Sequence, residues 1–505
     1  MTHLRFAVGV ALGASLLVGV VGNAQGSPSA TTLIVNASIV DGTGSPAQKG
    51  AVRIDGERIV EVGALEPKPG ELVIDAQGKS LTPGFIDAHS HHEDGLFEMR
   101  DAAPVVSQGI TTIVVGQDGW MTYPVKDLFD RMQQSPSAVN VATFVGHGNV
   151  RAEVMGKDFQ RKATTEEIAR MRTLVAAGME AGGLGLATGL EYDPGIYSST
   201  EEVLELAKEA QRHGGRYISH IRSEDRYFWE ALAEIVRIGD EADIPVQVTH
   251  MKLAMTDWWG QTARFLGILD KARADGIDIT GDIYPYEAWH SDLTVLFPKR
   301  DFTNRESAQF ALDHVSPPEG ITLSRYSPEP ELVGLTLAEI GRRKGMDPAA
   351  TLMDLIARSS HEGAEQSIIG TGMKAEDVAA LMAWPHASIC SDGSLNSLHP
   401  RGRGAFTKVL RVYVREQKLL SLEEAIRKMT SLSAAHIGFT DRGVIRPGAF
   451  ADLVLLDPAT VADRSTWQQP LAFSTGIEKV WVNGVVVWDG AKPTGAYPGK
   501  GLRRQ

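Results

Sequence analysis

Eight short apolar runs, separated by stretches of helical periodicity, constrain this chain more than any other feature. They lie at residues 84–89, 111–115, 141–146, 183–188, 217–221, 245–250, 278–283 and 387–391. Helical spacing of apolar residues is clear at 165–181, 200–213, 227–241 and 262–275. Thr164-Thr165-Glu166-Glu167 and Ser199-Thr200-Glu201-Glu202 read as capped helix starts with early acids. Eight strands alternating with helices indicate an α/β chain built on a (β/α)8 barrel, whose site lies at the C-terminal ends of the strands.

The flanks differ from this pattern. Residues 32–40 and 50–62 alternate like strands, as do 451–456 and 478–488, the last across an Asn483-Gly484 turn. Neither β segment is large enough for a core of its own. Residues 30–80 and 440–495 are therefore expected to pair into one small β-sandwich beside a barrel spanning 81–439. The stretch 297–371, after the seventh strand, is too long for a barrel loop and carries helical patterns at 336–344 and 348–358. It reads as an inserted subdomain, a lid over the barrel mouth.

His3 and Arg5, the apolar run 6–21 and the segment Gly22-Asn23-Ala24 have the layout of an export signal cleaved after Ala24. The expected location is periplasmic or secreted, with no stable membrane association after cleavage. With 50 basic against 63 acidic residues the net charge is −13, which argues against nucleic acid and anionic membranes as partners. Cys390 is the only cysteine, so disulfide scaffolds and cysteine-rich zinc modules are excluded.

Chemistry concentrates at the strand ends. Asp87, His89 and His91 share one face of the first strand and suit a divalent metal. Asp118 follows the second strand, His147 the third, and Glu191 and Tyr192 the fourth. His220 and Arg222 end the fifth, His250 and Lys252 the sixth, Tyr284 and Tyr286 the seventh, and Asp392 the eighth. Any one of them is more often a solvated strand end than a catalytic group; the whole set on one barrel face is not expected by chance. No G-x-S-x-G occurs with supporting partners, and Cys390 lies inside an apolar run, so covalent catalysis is not expected.

The stretches GFIDAHSH (84–91), GITTIVVG (109–116), VGHGNVR (145–151), GLGLATGLEYDPG (183–195), GGRYISHIRSE (214–224), PVQVTHMK (245–252), IYPYEA (283–288), SDG (391–393) and HPR (399–401) resemble the amidohydrolase superfamily. More narrowly, the chain resembles the N-acyl-D-amino-acid deacylases, or D-aminoacylases, over almost its whole length. The resemblance implies a zinc amidase with His89 and His91 at one metal position and His220 and His250 at a second. It implies one or two Zn2+ ions, with Mn2+ or another divalent metal as the alternative. Asp392 would be the acid/base residue. Lys252, Tyr284 or Tyr286, and Arg401 would receive the substrate α-carboxylate, with Tyr192 and Arg222 nearby. From their places near strand ends, Arg222 or His147 is a candidate for polarising the amide carbonyl, and Trp258, Trp259 and Trp289 for lining an apolar pocket, with buried packing the alternative for the tryptophans.

One position departs from the family. Where the deacylases carry a zinc-binding cysteine, this chain has Asp118 in Gly116-Gln117-Asp118-Gly119. Carboxylate oxygen also ligates zinc, and a bridging carboxylate would hold two metals; the alternative is hydrogen bonding to a ligating histidine. Glu191 is a lesser candidate ligand. The fourth strand ends without the lysine that bridges metals in cyclic-amide hydrolases of the superfamily.

The expected function is hydrolysis of the amide bond of small N-acyl-D-amino acids by metal-activated water, with Asp392 moving the proton. A metallodipeptidase or broader amidase acting on dipeptide-like substrates is the second reading. A catalytically silent metal- or ligand-binding relative is the third, against which the retained Asp392 argues. A homo-oligomer is compatible with the chain.

Overall fold

The computed structural model describes residues 31–361 and 363–505. The expected export signal, 1–24, lies outside the described residues.

The apolar runs form eight parallel strands, β1 (Phe85–Asp87), β2 (Ile110–Val115), β3 (Asn140–Thr143, resumed at Val145–Gly146) and β4 (Gly185–Gly189), then β5 (Arg216–His220), β6 (Val246–Val248), β7 (Ile279–Ile283) and β8 (Ala387–Ile389). Strand β2, Ile-Thr-Thr-Ile-Val-Val, is buried at every position, as a parallel strand between core and outer helices must be. The barrel closes between β8 and β1 just past the strand ends. There Asp392 N donates to the His89 carbonyl at 2.9 Å and His91 N to the Gly393 carbonyl at 2.8 Å. Asp87 strengthens the seam by accepting from Ser391 N at 2.9 Å. The expected (β/α)8 barrel is present.

The outer helices start where their caps say they should. Thr164 and Glu167 form a reciprocal capping box at the head of Thr165–Glu180. Ser199 accepts from Glu202 N at 3.2 Å at the head of Thr200–Arg212.

The terminal segments share one eight-stranded sheet, joined where Ser80–Pro83 pairs antiparallel with Leu453–Leu456. Its far edge, Arg58–Gly63, returns to the other half, with Ile59 N bonded to the Ala449 carbonyl at 2.9 Å. The sheet thus curls over a single core that takes Ile34, Val52 and Ile59 from one end of the chain and Leu453, Leu455 and Trp481 from the other. Asn483 and Gly484 both have positive φ, 48° and 79°, as their hairpin turn requires.

After β7 the chain leaves the barrel. Ala288–Ser291, Ile321–Tyr326 and Gln366–Thr371 form a separate antiparallel sheet, backed by helices Arg305–His314, Leu337–Lys344 and Pro348–Arg358. This subdomain has its own apolar core, which includes Leu296, Phe297, Leu323, Tyr326, Leu352 and Ile368. Its first strand begins at Ala288, ahead of the expected boundary at 297, because its pairing partner lies some 80 residues later, at Ile368–Thr371. No helix of the described residues is long and apolar enough to cross a membrane.

Candidate metal centre

His89 and His91 leave β1, His220 ends β5, His250 follows β6, Asp118 follows β2 and Asp392 follows β8, so all six meet at one end of the barrel. Three of them hold left-handed backbone: Asp118 at φ 54°, His250 at 35° and Asp392 at 48°. Such angles are uncommon outside glycine and cluster at functional sites. The Asp118 turn is pressed from outside by glycine backbone. A Cβ on Gly189 would lie 2.3 Å from the Asp118 carbonyl oxygen, and one on Gly119 only 3.1 Å from Gly148 N. Glycines at these points let β3 and β4 fix where the Asp118 carboxylate sits.

That carboxylate faces both histidine pairs. Asp118 Oδ2 is 3.4 Å from His91 Nε2, and Oδ1 is 3.9 Å from His89 Nε2 and 3.5 Å from His250 Nε2. Asp392 Oδ1 adds contacts of 3.6 Å to His89 Nε2 and 3.3 Å to His91 Nε2. His220 Nδ1 is 3.0 Å from His250 Nε2. Three groups of ligand-type atoms result, His89–His91–Asp118–Asp392, Asp118–His220–His250 and Glu191–His220–Glu224, and the first two share Asp118.

The far sides of the rings meet carboxylates. His220 Nε2 is 2.9 Å from Glu191 Oε2, His250 Nδ1 is 3.1 Å from Glu224 Oε1, and His89 Nδ1 is 3.6 Å from Asp282 Oδ1. A carboxylate behind a histidine fixes the ring and its tautomer and leaves the other nitrogen for a cation. Asp282 is fully buried and also accepts from His250 N at 2.7 Å and from the Cys390 thiol at 3.0 Å. One side chain thus touches the ring of one histidine and the backbone of another. Glu191 belongs to this supporting layer.

The electrostatics agree. Desolvation would push the His91 ring down, but Asp118 and Asp392 outweigh it and hold the ring well above its usual range. Burial favours a neutral Asp118, yet His250 and His91 keep it well below the usual carboxylate range. Asp392 is lowered likewise, burial being outweighed by Arg401 and His91. Glu191 is pushed up to about 7 by burial, with His220 opposing and the neighbouring Asp225 and Glu224 adding to the rise. Both His89 ring nitrogens and Asp118 Oδ1 are buried without a hydrogen-bond partner. Buried polar atoms are rarely left so. A divalent cation among them would answer His89 Nε2 and Asp118 Oδ1, with His89 Nδ1 left facing Asp282 at 3.6 Å, and nitrogen and carboxylate donors are those that zinc accepts. The residues fit the metal.

The centre forms the floor of a cavity of about 600 Å3. Lys252, Tyr192 and Arg401 line it, and the Tyr192 ring packs 4.5 Å from that of His220. Arg401 Nη1 is 2.7 Å from Asp392 Oδ2, and its CZ lies 4.8 Å above the Tyr284 ring, whose hydroxyl is buried and unpaired.

Several expected residues lie elsewhere. Arg222 does not line the cavity; its guanidinium is locked on Glu234 at 2.8 and 2.9 Å and on the Ser198 carbonyl at 3.0 Å. His147 is likewise outside, bonded to Glu202 at 2.9 Å. Tyr286 points the other way, against His399 and Trp467. Strand alternation would put it on the side of Tyr284, but past the end of β7 the chain turns, with Tyr286 N donating to the Tyr284 carbonyl at 3.1 Å. Of the three tryptophans only Trp289 lines the cavity; Trp258 and Trp259 donate to the carbonyls of Asp225 and Gly372. His92 faces Asp87 and Ser391 at the barrel seam.

Glu224, Asp282, His290, Ser324 and Arg325 were not singled out from the sequence. Asp282 did leave a signal, as a lone acid inside an apolar strand on the same side as Tyr284. Glu224 lies four residues past His220 in the GGRYISHIRSE stretch. Nothing local marks the other three, which reach the cavity only through the inserted sheet.

The chain matches the model of the Amidohydrolase family over residues 72–311 and 334–488. It is 36% identical to an N-acyl-D-aspartate deacylase of Alcaligenes xylosoxydans xylosoxydans, with 93% of this chain and 94% of that one covered. Two solved structures are similar throughout, each covering 94% of this chain and 99% of the other. One is D-aminoacylase, studied for its binuclear metal centre, with one-metal activation and second-metal attenuation (33% identity, TM-score 0.85). The other is N-acyl-D-glutamate deacylase of Bordetella bronchiseptica, with zinc and a phosphonate that mimics the tetrahedral intermediate (34% identity, TM-score 0.85).

Proposed function

The chain belongs to the amidohydrolase family, and on that premise we propose that it hydrolyses the amide bond of N-acyl-D-amino acids to a carboxylate and a D-amino acid. The observation that carries this reading is the pair of ligand groups sharing Asp118, with Asp392 and Arg401 beside them on the cavity floor. His89, His91 and Asp392 would hold one divalent ion, His220 and His250 another, and Asp118 reaches both. Zinc bound there supplies Lewis acidity, which polarises an amide carbonyl and acidifies water towards neutrality. The binuclear centre of D-aminoacylase supports provision for two ions. The aspartate and glutamate deacylases among its relatives support the D configuration.

The chain's own groups have separate tasks. Asp392, kept ionised chiefly by Arg401 against the cost of burial, accepts the proton of the attacking water and returns it to the amine nitrogen as the C–N bond breaks. An amine leaves poorly without that proton, and such transfer contributes roughly 10²–10⁴-fold in rate. Arg401 spends Nη1 on Asp392, 2.7 Å away, and keeps Nε without a hydrogen-bond partner. The guanidinium that orients Asp392 therefore has donors for the substrate α-carboxylate. Lys252 lines the cavity as a further donor for that group, whereas Tyr284, with its hydroxyl buried and unpaired beside Arg401, is not part of the lining. Glu191, Glu224 and Asp282 hold the histidine rings.

Paired N-acetyl-D- and N-acetyl-L-amino acids, offered to the zinc-loaded protein, test the reading. Turnover of the D series alone is expected; equal rates, or none on either, would remove it. We also propose, from residues 1–24, that the protein acts outside the cytoplasm. The mature chain should then begin at Gln25, and an intact Met1 in the exported fraction would refute this.

A further inference from the structure

The end of the barrel opposite the metal centre holds a second, smaller pocket of about 180 Å3. It is bounded by the starts of β5, β6 and β7, by His386 just ahead of β8, and by the short helix Ser431–Ile437, which packs into that end of the barrel. A (β/α)8 barrel does its chemistry at the C-terminal ends of its strands, and its N-terminal end serves stability. Polar side chains without partners do not serve stability, yet they collect here.

Arg216 opens β5 and is largely buried. Among the described residues its guanidinium makes one hydrogen bond, from Nη1 to the His436 carbonyl at 2.8 Å, and no ion pair. Burial pushes its pKa down, and only the more distant Asp278 opposes. Arg273 also lines the pocket, with Nη1 bonded to the Ile279 carbonyl at 2.6 Å and 3.6 Å from Asp278 Oδ1. Two further lining residues carry buried atoms with no partner, Gln247 Oε1 and His436 Nδ1. The Gln247 amide has a settled orientation, because its Nε2 donates to the Asp282 carboxylate; Oε1 is left as a pure acceptor. His436 is held neutral, so its Nδ1 donates or accepts according to the tautomer. Buried polar atoms without partners are rare.

These groups make two different demands. The guanidinium forks call for an anion, and the Gln247 oxygen calls for a donor. Chloride, sulfate or an ionised monocarboxylate meets the first and sets one acceptor against another at Gln247. Water meets the second and leaves Arg216 without a counter-charge. An oxyanion that keeps a hydroxyl meets both, and it suits either His436 tautomer. Since about 150 Å3 is enough to take a benzene ring, such an ion fits.

We propose that this end of the barrel binds a small oxyanion that retains a hydroxyl, its charged oxygens on Arg216 and Arg273 and its O–H on Gln247 Oε1. Inorganic phosphate and hydrogen carbonate share that chemistry at neutral pH. The site lies apart from the metal centre and stands or falls independently of the deacylase reading.

The test is calorimetric titration of the zinc-loaded protein with phosphate and hydrogen carbonate, and with their hydroxyl-free counterparts sulfate and acetate. Wild type, Arg216→Gln and Ala435→Glu are compared. Ala435 lines the pocket and is exposed, so glutamate there brings a tethered carboxylate to the arginines and leaves Arg216, Gln247 and His436 in place. Binding at the zinc centre is common to all three proteins, so the pocket is read from the difference. The wild type should take up one more equivalent of phosphate or hydrogen carbonate than either variant. Loss of the hydroxyl should weaken that equivalent about tenfold or more. Which ion shows the extra equivalent identifies the occupant. Equal stoichiometry in the three proteins would overturn the site, and sulfate or acetate bound there as tightly would overturn the hydroxyl requirement. If circular dichroism shows that Arg216→Gln does not fold, the Ala435→Glu comparison decides alone.

Discussion

Asp118 is the residue on which the site turns. One side chain faces both histidine pairs, so its removal should weaken both metal positions. We expect Asp118→Ala to lose bound zinc, measured by elemental analysis after dialysis, while its circular dichroism stays that of the wild type. Zinc content equal to wild type would show that the carboxylate is no ligand. Asp282 acts differently, reaching the metal only through His89 and the His250 backbone. Supporting carboxylates of this kind are worth roughly 10–100-fold in metal affinity. Asp282→Asn keeps the shape and the hydrogen bond from His250 N but loses the charge facing His89. Its zinc affinity, read by competition with a chelator, should fall within that range, and an unchanged affinity would confine Asp282 to packing.

At the scale of elements, strands and helices were legible and their partners less so. The eight apolar runs and the Thr164 and Ser199 caps could be read because their signals are local: burial on both faces, and a side-chain oxygen three residues from its donor. The start of the inserted sheet could not, because Ala288–Ser291 becomes a strand only by pairing with a segment some 80 residues away. The side chains went the same way. His89, His91, His220, His250 and Asp392 stand at strand ends, where the barrel dictates direction. Arg222 and Tyr286 stand at strand ends too, yet one was taken by Glu234 and the other by the opposite face. No local pattern records such competition. The turn after β2 makes the point testable. A methyl group on Gly189 would meet the Asp118 carbonyl at 2.3 Å, and backbone cannot swing aside as a side chain does. Gly189→Ala should therefore shift Asp118 and lower zinc content without unfolding the barrel; full zinc occupancy in a folded variant would count against this coupling.

For the whole molecule, acid stability is expected to depend in part on His436, a residue outside the cavity lining. Burial, and then Arg216, push His436 from 6.5 down to about 3. The unfolded chain regains the ordinary value and so binds the extra proton between those two limits. Stability should fall as pH drops through that window and gain nothing from His436 above it. Melting temperatures between about pH 7.5 and about pH 4.5 should show a shallower pH slope for His436→Gln than for the wild type, and parallel slopes would refute the assignment. The inserted subdomain has a broader consequence. Its apolar core is separate from that of the barrel, yet its sheet supplies a wall of the cavity. Substitutions there are absorbed by a small core that holds no metal ligand, and substitutions at the strand ends leave that wall standing. Selection can thus act on diet and on turnover as two nearly independent traits, and one ancestral scaffold can give rise to descendants that differ in what they eat while sharing how they cut.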